Sequence, residues 1–377
     1  MTQAETVKVD RRHVLTAGLA LTATAASAGA VARKVSREPV PGNAALRLPV
    51  RLAANENPWG PGPAARAALA TAVDESSRYG MAQLGQLTEA ICRREGVDKD
   101  RVIVGMGSGE LLNLLAFAYA DRGQIVCAWP TFNFLMSYGE KLGAEIRKVP
   151  LDAELRHDLP ALDAAVNANS SLLYVCNPNN PTGTVIAGAA LRSFCSQAAR
   201  RTLVVVDEAY LELADDGATE SMVDLARAGE NVIVLRTFSK LHGLAGLRVG
   251  YGIARPDVIQ RIRRYQMTIG SLPGYAAAAA SLADTDFLTR TRATLIADRR
   301  RVLAACDELG LRHAAPSGNF VFMKVGMPFE QFRTRMREQQ VQLGQGFEPY
   351  SDWSRVSIGT TIETTFFIDA LRRVIKA

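Results

Sequence analysis

Leu203-Val204-Val205-Val206-Asp207-Glu208-Ala209-Tyr210 runs four consecutive apolar residues into a carboxylate. A strand with no polar alternate is one buried on both faces, as in a parallel sheet covered by helices. The same pattern recurs on either side of it. Val102–Val104 leads into a glycine loop, Gln124–Ala128 ends at Trp129-Pro130, and Leu172–Cys176 ends at Asn177-Pro178. Val232–Leu235 and Val249–Ile253 flank a further loop, and helical patterning over Ala64–Asp74, Gln83–Arg94 and Leu111–Ala120 separates the strands. The expected fold is α/β: a large domain with a mostly parallel sheet flanked by helices, followed by a smaller α+β C-terminal domain. A long helical stretch at 255–310 leads into that second part, whose strands are read at Asn319–Met323 and Arg355–Ile358. The expected boundaries are 1–30 for a leader, 31–60 for a linker and N-terminal arm, 61–275 for the large domain and 276–377 for the small one.

In open α/β sheets ligands sit beyond the carboxyl ends of the strands. Asn180, Asp207, Tyr210 and Lys240 all follow such ends. Lys240 lies in Arg236-Thr237-Phe238-Ser239-Lys240-Leu241-His242-Gly243-Leu244-Ala245-Gly246-Leu247-Arg248, with hydroxyls just before it and an arginine eight positions after it. A lysine amine can hold an aldehyde cofactor as a Schiff base, while hydroxyls and a guanidinium hold a phosphate. That is the equipment pyridoxal 5′-phosphate (PLP) requires. A buried strand-end carboxylate such as Asp207 is costly unless it meets a cation or donors. A protonated pyridine nitrogen would satisfy it; so would a purely structural turn. Asn180, in the rigid turn Asn177-Pro178-Asn179-Asn180-Pro181-Thr182-Gly183, can present an amide at the same place, and Tyr210 a hydroxyl.

Gly105-Met106-Gly107-Ser108-Gly109-Glu110 joins a strand to a helix, and backbone amides at a helix N-terminus bind phosphate. Read as a dinucleotide fingerprint, this stretch would need an acid at the end of the next strand, which ends Ala128-Trp129-Pro130 instead. Phe132 can stack on a pyridine face or serve the core. Arg355 can hold a carboxylate or phosphate bidentately.

The composition is globular, with 48% hydrophobic and 22% charged residues, and a net charge of +6 spread along the chain gives no nucleic-acid footprint. Five scattered cysteines show no disulfide framework, and four histidines show no ligand spacing, so no metal is expected. His242, beside the lysine, can line a site or pack its loop. The first thirty residues read differently. Arg11-Arg12 precedes a short Ala/Thr-rich apolar run that ends Ala26-Ser27-Ala28. This pattern is that of a twin-arginine secretory signal. It predicts use of the twin-arginine export machinery and a periplasmic location rather than a cytoplasmic one, without a stable membrane anchor.

With these motifs in place, the chain from about Leu52 onward resembles the fold-type I PLP enzymes, among them the class I/II aminotransferases and especially the histidinol-phosphate aminotransferase family. The resemblance is carried by Asn55-Glu56-Asn57-Pro58, Asn180-Pro181-Thr182-Gly183, Asp207-Glu208-Ala209-Tyr210, Ser239-Lys240 with Arg248, and Arg355-Val356-Ser357-Ile358-Gly359-Thr360. It implies an enzyme that moves an amino group between an amino acid and a 2-oxo acid, Lys240 being the Schiff-base lysine and proton shuttle. Asp207 would pair with the ring nitrogen, and Asn180 and Tyr210 would meet the phenolate oxygen. Phe132 would stack, where the family often has tyrosine. Ser108, Gly109, Thr237, Ser239 and Arg248 would surround the phosphate, with Tyr79 from the neighbouring subunit of a homodimer. Arg355 and Asn55 would meet substrate. A lyase, decarboxylase or racemase on the same scaffold is the alternative. The family's second arginine, about a dozen residues before Arg355, is absent from Val341-Gln342-Leu343-Gly344-Gln345-Gly346-Phe347, which weakens the case for a doubly charged phosphate substrate.

Overall fold

A computed structural model describes residues 46–376, apart from 120 and 122. The twin-arginine leader lies outside the described residues. In chain order the strands are β1 (Val50–Arg51), β2 (Val102–Gly105), β3 (Gln124–Trp129), β4 (Glu145–Pro150), β5 (Ser170–Cys176), β6 (Leu203–Asp207), β7 (Val232–Thr237), β8 (Gly250–Ile253), β9 (Phe320–Lys324), β10 (Val341–Gln342) and β11 (Trp353–Ser357). Seven of them form one sheet in the order β2-β8-β7-β6-β5-β3-β4. The pairs β3/β4, β3/β5, β5/β6 and β6/β7 are parallel, whereas β8 runs antiparallel to both of its neighbours.

The unbroken apolar runs have their physical reason here. Val204, Val206, Val232 and Val234 point into one apolar layer, while Leu203, Val205, Ile233 and Leu235 point into the other. Strand side chains alternate faces, so a sheet covered on both sides needs an apolar residue at every position. β4, at the sheet edge, carries the half-exposed sequence Glu145-Ile146-Arg147-Lys148-Val149-Pro150, and the charged side chains guard that edge against pairing with another chain.

A second core gathers the C-terminal elements. Phe320, Val321 and Met323 of β9 pack with Val356 of β11, Phe332 and Met336 of helix Phe329–Glu338, and Phe367 and Leu371 of helix Thr361–Lys376. Val50 and Leu52 belong to this cluster, because β1 pairs in parallel with β10. The helical stretch expected at 255–310 is three helices, Pro256–Arg263, Leu272–Ala283 and Thr285–Glu308. Position 276 falls inside the second, whose Tyr275, Ala277 and Ala278 sit in the core of the large sheet. The chain passes to the second core only with helix Thr285–Glu308, which supplies Phe287, Leu295 and Val302 to it.

One row of the sheet sets the site. Gly105, Gly250 and Thr237 are paired across β2, β8 and β7. A Cβ on Gly250 would lie 2.4 Å from the amide nitrogen of Ser108 and 2.9 Å from the carbonyl oxygen of Arg236. The missing side chain therefore lets the start of helix Ser108–Tyr119 settle directly on the sheet. Gly250→Ala is expected to destabilise the fold by about 1–3 kcal/mol or more, since rigid backbone must move. Gly252→Ala, two residues along the same strand, meets only side-chain atoms at 3.1 Å and beyond and should lose less. Thermal unfolding of the two variants beside wild type checks the ranking.

Candidate active site

The carboxyl ends of β3, β5, β6 and β7 open into a cleft of about 620 Å³. Its walls include Ser108, Gly109, Phe132, Asn180, Asp207, Tyr210, Thr237, Ser239, Lys240, Arg248, Arg355 and Asn55, so one cavity collects residues from seven separate stretches of sequence. Tyr79 is not among them. It is 89% exposed, in the turn between helices Pro63–Asp74 and Met81–Glu95, and within a single chain it does not reach the cleft.

Asp207 closes β6 at the floor, 1% exposed. Register pairs it with Cys176 on β5 and Leu235 on β7, so it lies on the middle strand of the seven-stranded sheet. Its Oδ1 accepts the amide of Ala209 at 3.1 Å and its Oδ2 accepts the hydroxyl of Tyr174 at 2.9 Å. Burial, the largest influence, pushes its pKa up to about 6, opposed by Tyr174, the Ala209 amide and the charge of Lys240.

Lys240 lies in the loop after β7, and its Nζ donates to the carbonyl oxygens of Ala54 and Asn55, each at 3.2 Å. Burial first, then the neighbouring Arg355, lowers its pKa from the usual 10.5 to about 8. Arg248 carries a left-handed backbone at φ 52°, uncommon for a residue with a side chain. Its guanidinium donates to Ser239 Oγ at 3.3 Å and to the carbonyl of Ala245 at 2.9 Å. A Cβ on Gly107 would sit 2.5 Å from that guanidinium. Glycine is thus required for Arg248 to lie against the helix start.

The opposite wall is a hydrogen-bonded chain that joins the two cores. Tyr210 Oη accepts from the amides of Asn55 at 3.0 Å and Asn180 at 3.4 Å. Arg355 on β11 donates to Asn180 Oδ1 and to the carbonyl of Ala53, both at 2.7 Å. Its Nε is buried without a partner, and burial lowers the pKa of the guanidinium. Asn55, itself left-handed at φ 54°, is pinned by Ser357, whose hydroxyl accepts the Asn55 amide at 2.8 Å and donates to Oδ1 at 2.9 Å.

Some contributors were not visible in sequence. Tyr174 and Ser357 read as ordinary strand residues. Asn319, placed at the start of a strand, donates to the carbonyls of Asn55 and Glu56 at 3.1 and 3.2 Å. Behind the site, Arg236 bonds Glu208 at 3.0 Å, Ser221 at 2.8 Å and Glu95 at 3.3 Å, tying the ends of β6 and β7 together. His242 packs rather than lining the cleft. It is buried, with Nδ1 2.7 Å from Ser281 Oγ and Nε2 3.3 Å from Glu212.

The chain is similar to proteins of known family. The family model for aminotransferases of class I and II matches residues 49–371. A histidinol-phosphate aminotransferase of Moorella thermoacetica is 37% identical over 330 residues, covering 86% of this chain and 85% of that protein. An aromatic amino acid aminotransferase of Mycobacterium bovis is also 37% identical, over 86% of this chain and 92% of its own length. The crystal structure of histidinol-phosphate aminotransferase from Sinorhizobium meliloti in complex with pyridoxal-5′-phosphate superposes with a TM-score of 0.81 at 28% identity, covering 88% of this chain and 91% of that one. The chain belongs to the class I and II aminotransferases.

Proposed function

We propose that this cleft holds pyridoxal 5′-phosphate and that Lys240, Asp207, Asn180, Tyr210, Arg248 and Arg355 divide the work of amino transfer between them. The residues fit the group. Asp207 is a buried carboxylate facing an open cleft, the setting for an ion pair with a protonated ring nitrogen. Gly107 and Gly250 let Arg248 and the sheet close on the N-terminus of helix Ser108–Tyr119, where backbone amides can hold a phosphate. The hydroxyls of Ser108, Thr237 and Ser239 and the guanidinium of Arg248 line the same end. When bound, the cofactor supplies an aldehyde that carries the amino group and a ring that accepts the electron pair freed at the donor's Cα.

The chain is a PLP-dependent aminotransferase, and its own groups do the following in this reading. Lys240, with its lowered pKa, is available as a neutral amine near neutral pH and takes the proton from the donor's Cα. Asp207 stays ionised and keeps the ring nitrogen protonated. Asn180 and Tyr210 turn an amide and a hydroxyl toward the phenolate oxygen, and Phe132 covers a ring face. Arg355 orients the substrate's anionic group, with Asn55 beside it.

The observation that bears on substrate is the charge of the cleft mouth. Gly344-Gln345-Gly346-Phe347-Glu348 forms one side of it, and Glu56 lies on the other. Among the described lining residues the cations are Lys240, Arg248 and Arg355, which leaves Arg355 alone to receive an anion from the substrate. A single carboxylate suits that site better than a phosphate dianion. Trp129, Phe132, Phe134 and Phe347 supply an aromatic surround. We infer an amino acid donor with an apolar or aromatic side chain. The exposed Tyr79, with Met81 and Met267 also exposed, supports a homodimer in which Tyr79 reaches the partner's phosphate site. Arg11-Arg12 and the apolar run after it support export to the periplasm by the twin-arginine route.

Three measurements test this. Absorbance during addition of aromatic amino acids, and of histidinol phosphate, should show conversion of bound cofactor to its amine form, with kcat/KM for phenylalanine or tyrosine at least about tenfold above that for histidinol phosphate. Release of ammonia or CO2, or racemisation without conversion, would replace amino transfer by a lyase, decarboxylase or racemase. Arg355→Gln should lower kcat/KM for the amino acid by about ten- to a hundredfold, the worth of a bond between charged partners. In the cofactor-free protein, acylation of Lys240 should follow the deprotonated amine and rise through about pH 8 rather than 10.5. Peptide mapping across pH reads this directly, and a midpoint at the ordinary value would refute it.

A further inference from the structure

Tyr174 lies on β5, two residues before the cleft-lining Cys176, with none of its surface exposed. Its ring belongs to the apolar layer shared with Leu112 and Leu115 of helix Ser108–Tyr119 and Val205 of β6. In this layer its hydroxyl donates to Asp207 Oδ2 at 2.9 Å. The second carboxylate oxygen is held by the Ala209 amide at 3.1 Å. The two donors grip the carboxylate from different elements, so rotating it breaks both bonds.

We propose that Tyr174 is a positioning residue for the cofactor: its hydroxyl fixes the Asp207 carboxylate and keeps it anionic toward the ring nitrogen of pyridoxal 5′-phosphate. This rests on the reading that the cleft holds that cofactor. Tyr174 is suited to the task because it donates in one sense only. Burial, and after it the charge of Asp207, raise its own pKa well above the ordinary range, so it keeps its proton. The other groups facing Asp207 are Cys176 on β5, Glu208 and Tyr210 beyond its own strand end, and Lys240 across the cleft. Cys176 and Tyr210 are held neutral, since burial raises both. Glu208 is committed to Arg236 and opposes ionisation of Asp207. Lys240 favours ionisation only while it is charged. Once its amine is neutral, the bonds from Tyr174 and Ala209 are what offset burial. A phenylalanine in place of Tyr174 would leave Oδ2 facing a ring edge, an unmet acceptor in an apolar layer.

The test is Tyr174→Phe with two readouts that a packing role would not move. In the cofactor-free protein, isotope-edited infrared follows the Asp207 carboxyl, its band assigned with Asp207→Asn. Its protonation midpoint should rise by about one pH unit, the tenfold equivalent of one bond to a charged group. The dissociation constant for pyridoxal 5′-phosphate, measured by fluorescence, should increase about tenfold near pH 5 but only about twofold near pH 7, and match wild type at higher pH, where Asp207 is ionised in both. A fall in melting temperature with the titration and the pH dependence of affinity both unchanged would overturn the proposal. Should the phenylalanine variant fail to fold, a ring-fluorinated tyrosine at position 174 keeps the shape and donates more strongly. The Asp207 midpoint should then move down, and no movement overturns the proposal equally. If wild type itself takes up no pyridoxal 5′-phosphate, the cofactor reading fails, while the infrared titration still decides whether Tyr174 governs Asp207.

Discussion

A carboxylate buried at the end of a central strand is the constraint around which this molecule is arranged. Removing an ionised group from water is expensive unless donors and a counter-charge replace it. Asp207 receives two donors from the protein and has its remaining lone pairs turned toward a cavity. In the proposed reading the cofactor's ring nitrogen completes that set, and the parallel strands on either side provide the rigid frame. Rigidity matters because a polar group aimed at a reacting centre contributes most when nothing must reorganise as charge develops.

The two cores meet at this cleft through hydrogen bonds as well as through apolar contacts such as that of Tyr210 with Phe320. Arg355 and Ser357 from β11 and Asn319 just before β9 reach across to Asn180, Asn55 and the carbonyls of Ala53 and Glu56. Directional bonds fix distances between groups that the two halves contribute separately. They can also be exchanged for bonds to a ligand, which a packed seam cannot do. Arg355 is already bonded at both terminal nitrogens, so an incoming anion must share or displace existing partners. Such competition gives selectivity for ligands that match its planar fork.

Much of this was legible in the sequence. The doubly covered strands declared themselves because burial on both faces demands an apolar residue at every position, as in Leu203–Val206 and Val232–Leu235. The cleft residues were legible because polar side chains directly after such runs have few structural uses. Tyr174 was hidden for the same reason: inside an apolar strand, a tyrosine reads as core, and only geometry shows where its hydroxyl goes. The reversed direction of β8 leaves no trace in composition, since Gly250–Ile253 is as buried as its parallel neighbours. Where the chain leaves the first core was hard to read, because alanine-rich helix gives no sign of which core it joins. Tyr79 was suggested by motif alone, and within a single chain it does not line the cleft.

Ala53 and Arg355, bonded to one another across the cleft, stand 302 positions apart in the chain. A polypeptide emerging from the ribosome therefore has Lys240, Arg248 and Asp207 long before it has the wall opposite them. Native contacts of such separation form late, after most of the ordering entropy has been met. Cofactor capture accordingly reports completion: a chain cut short before β11 lacks the wall that Arg355 provides. Any group that binds only the finished cleft adds its binding free energy to the stability of the complete fold and to no fragment of it.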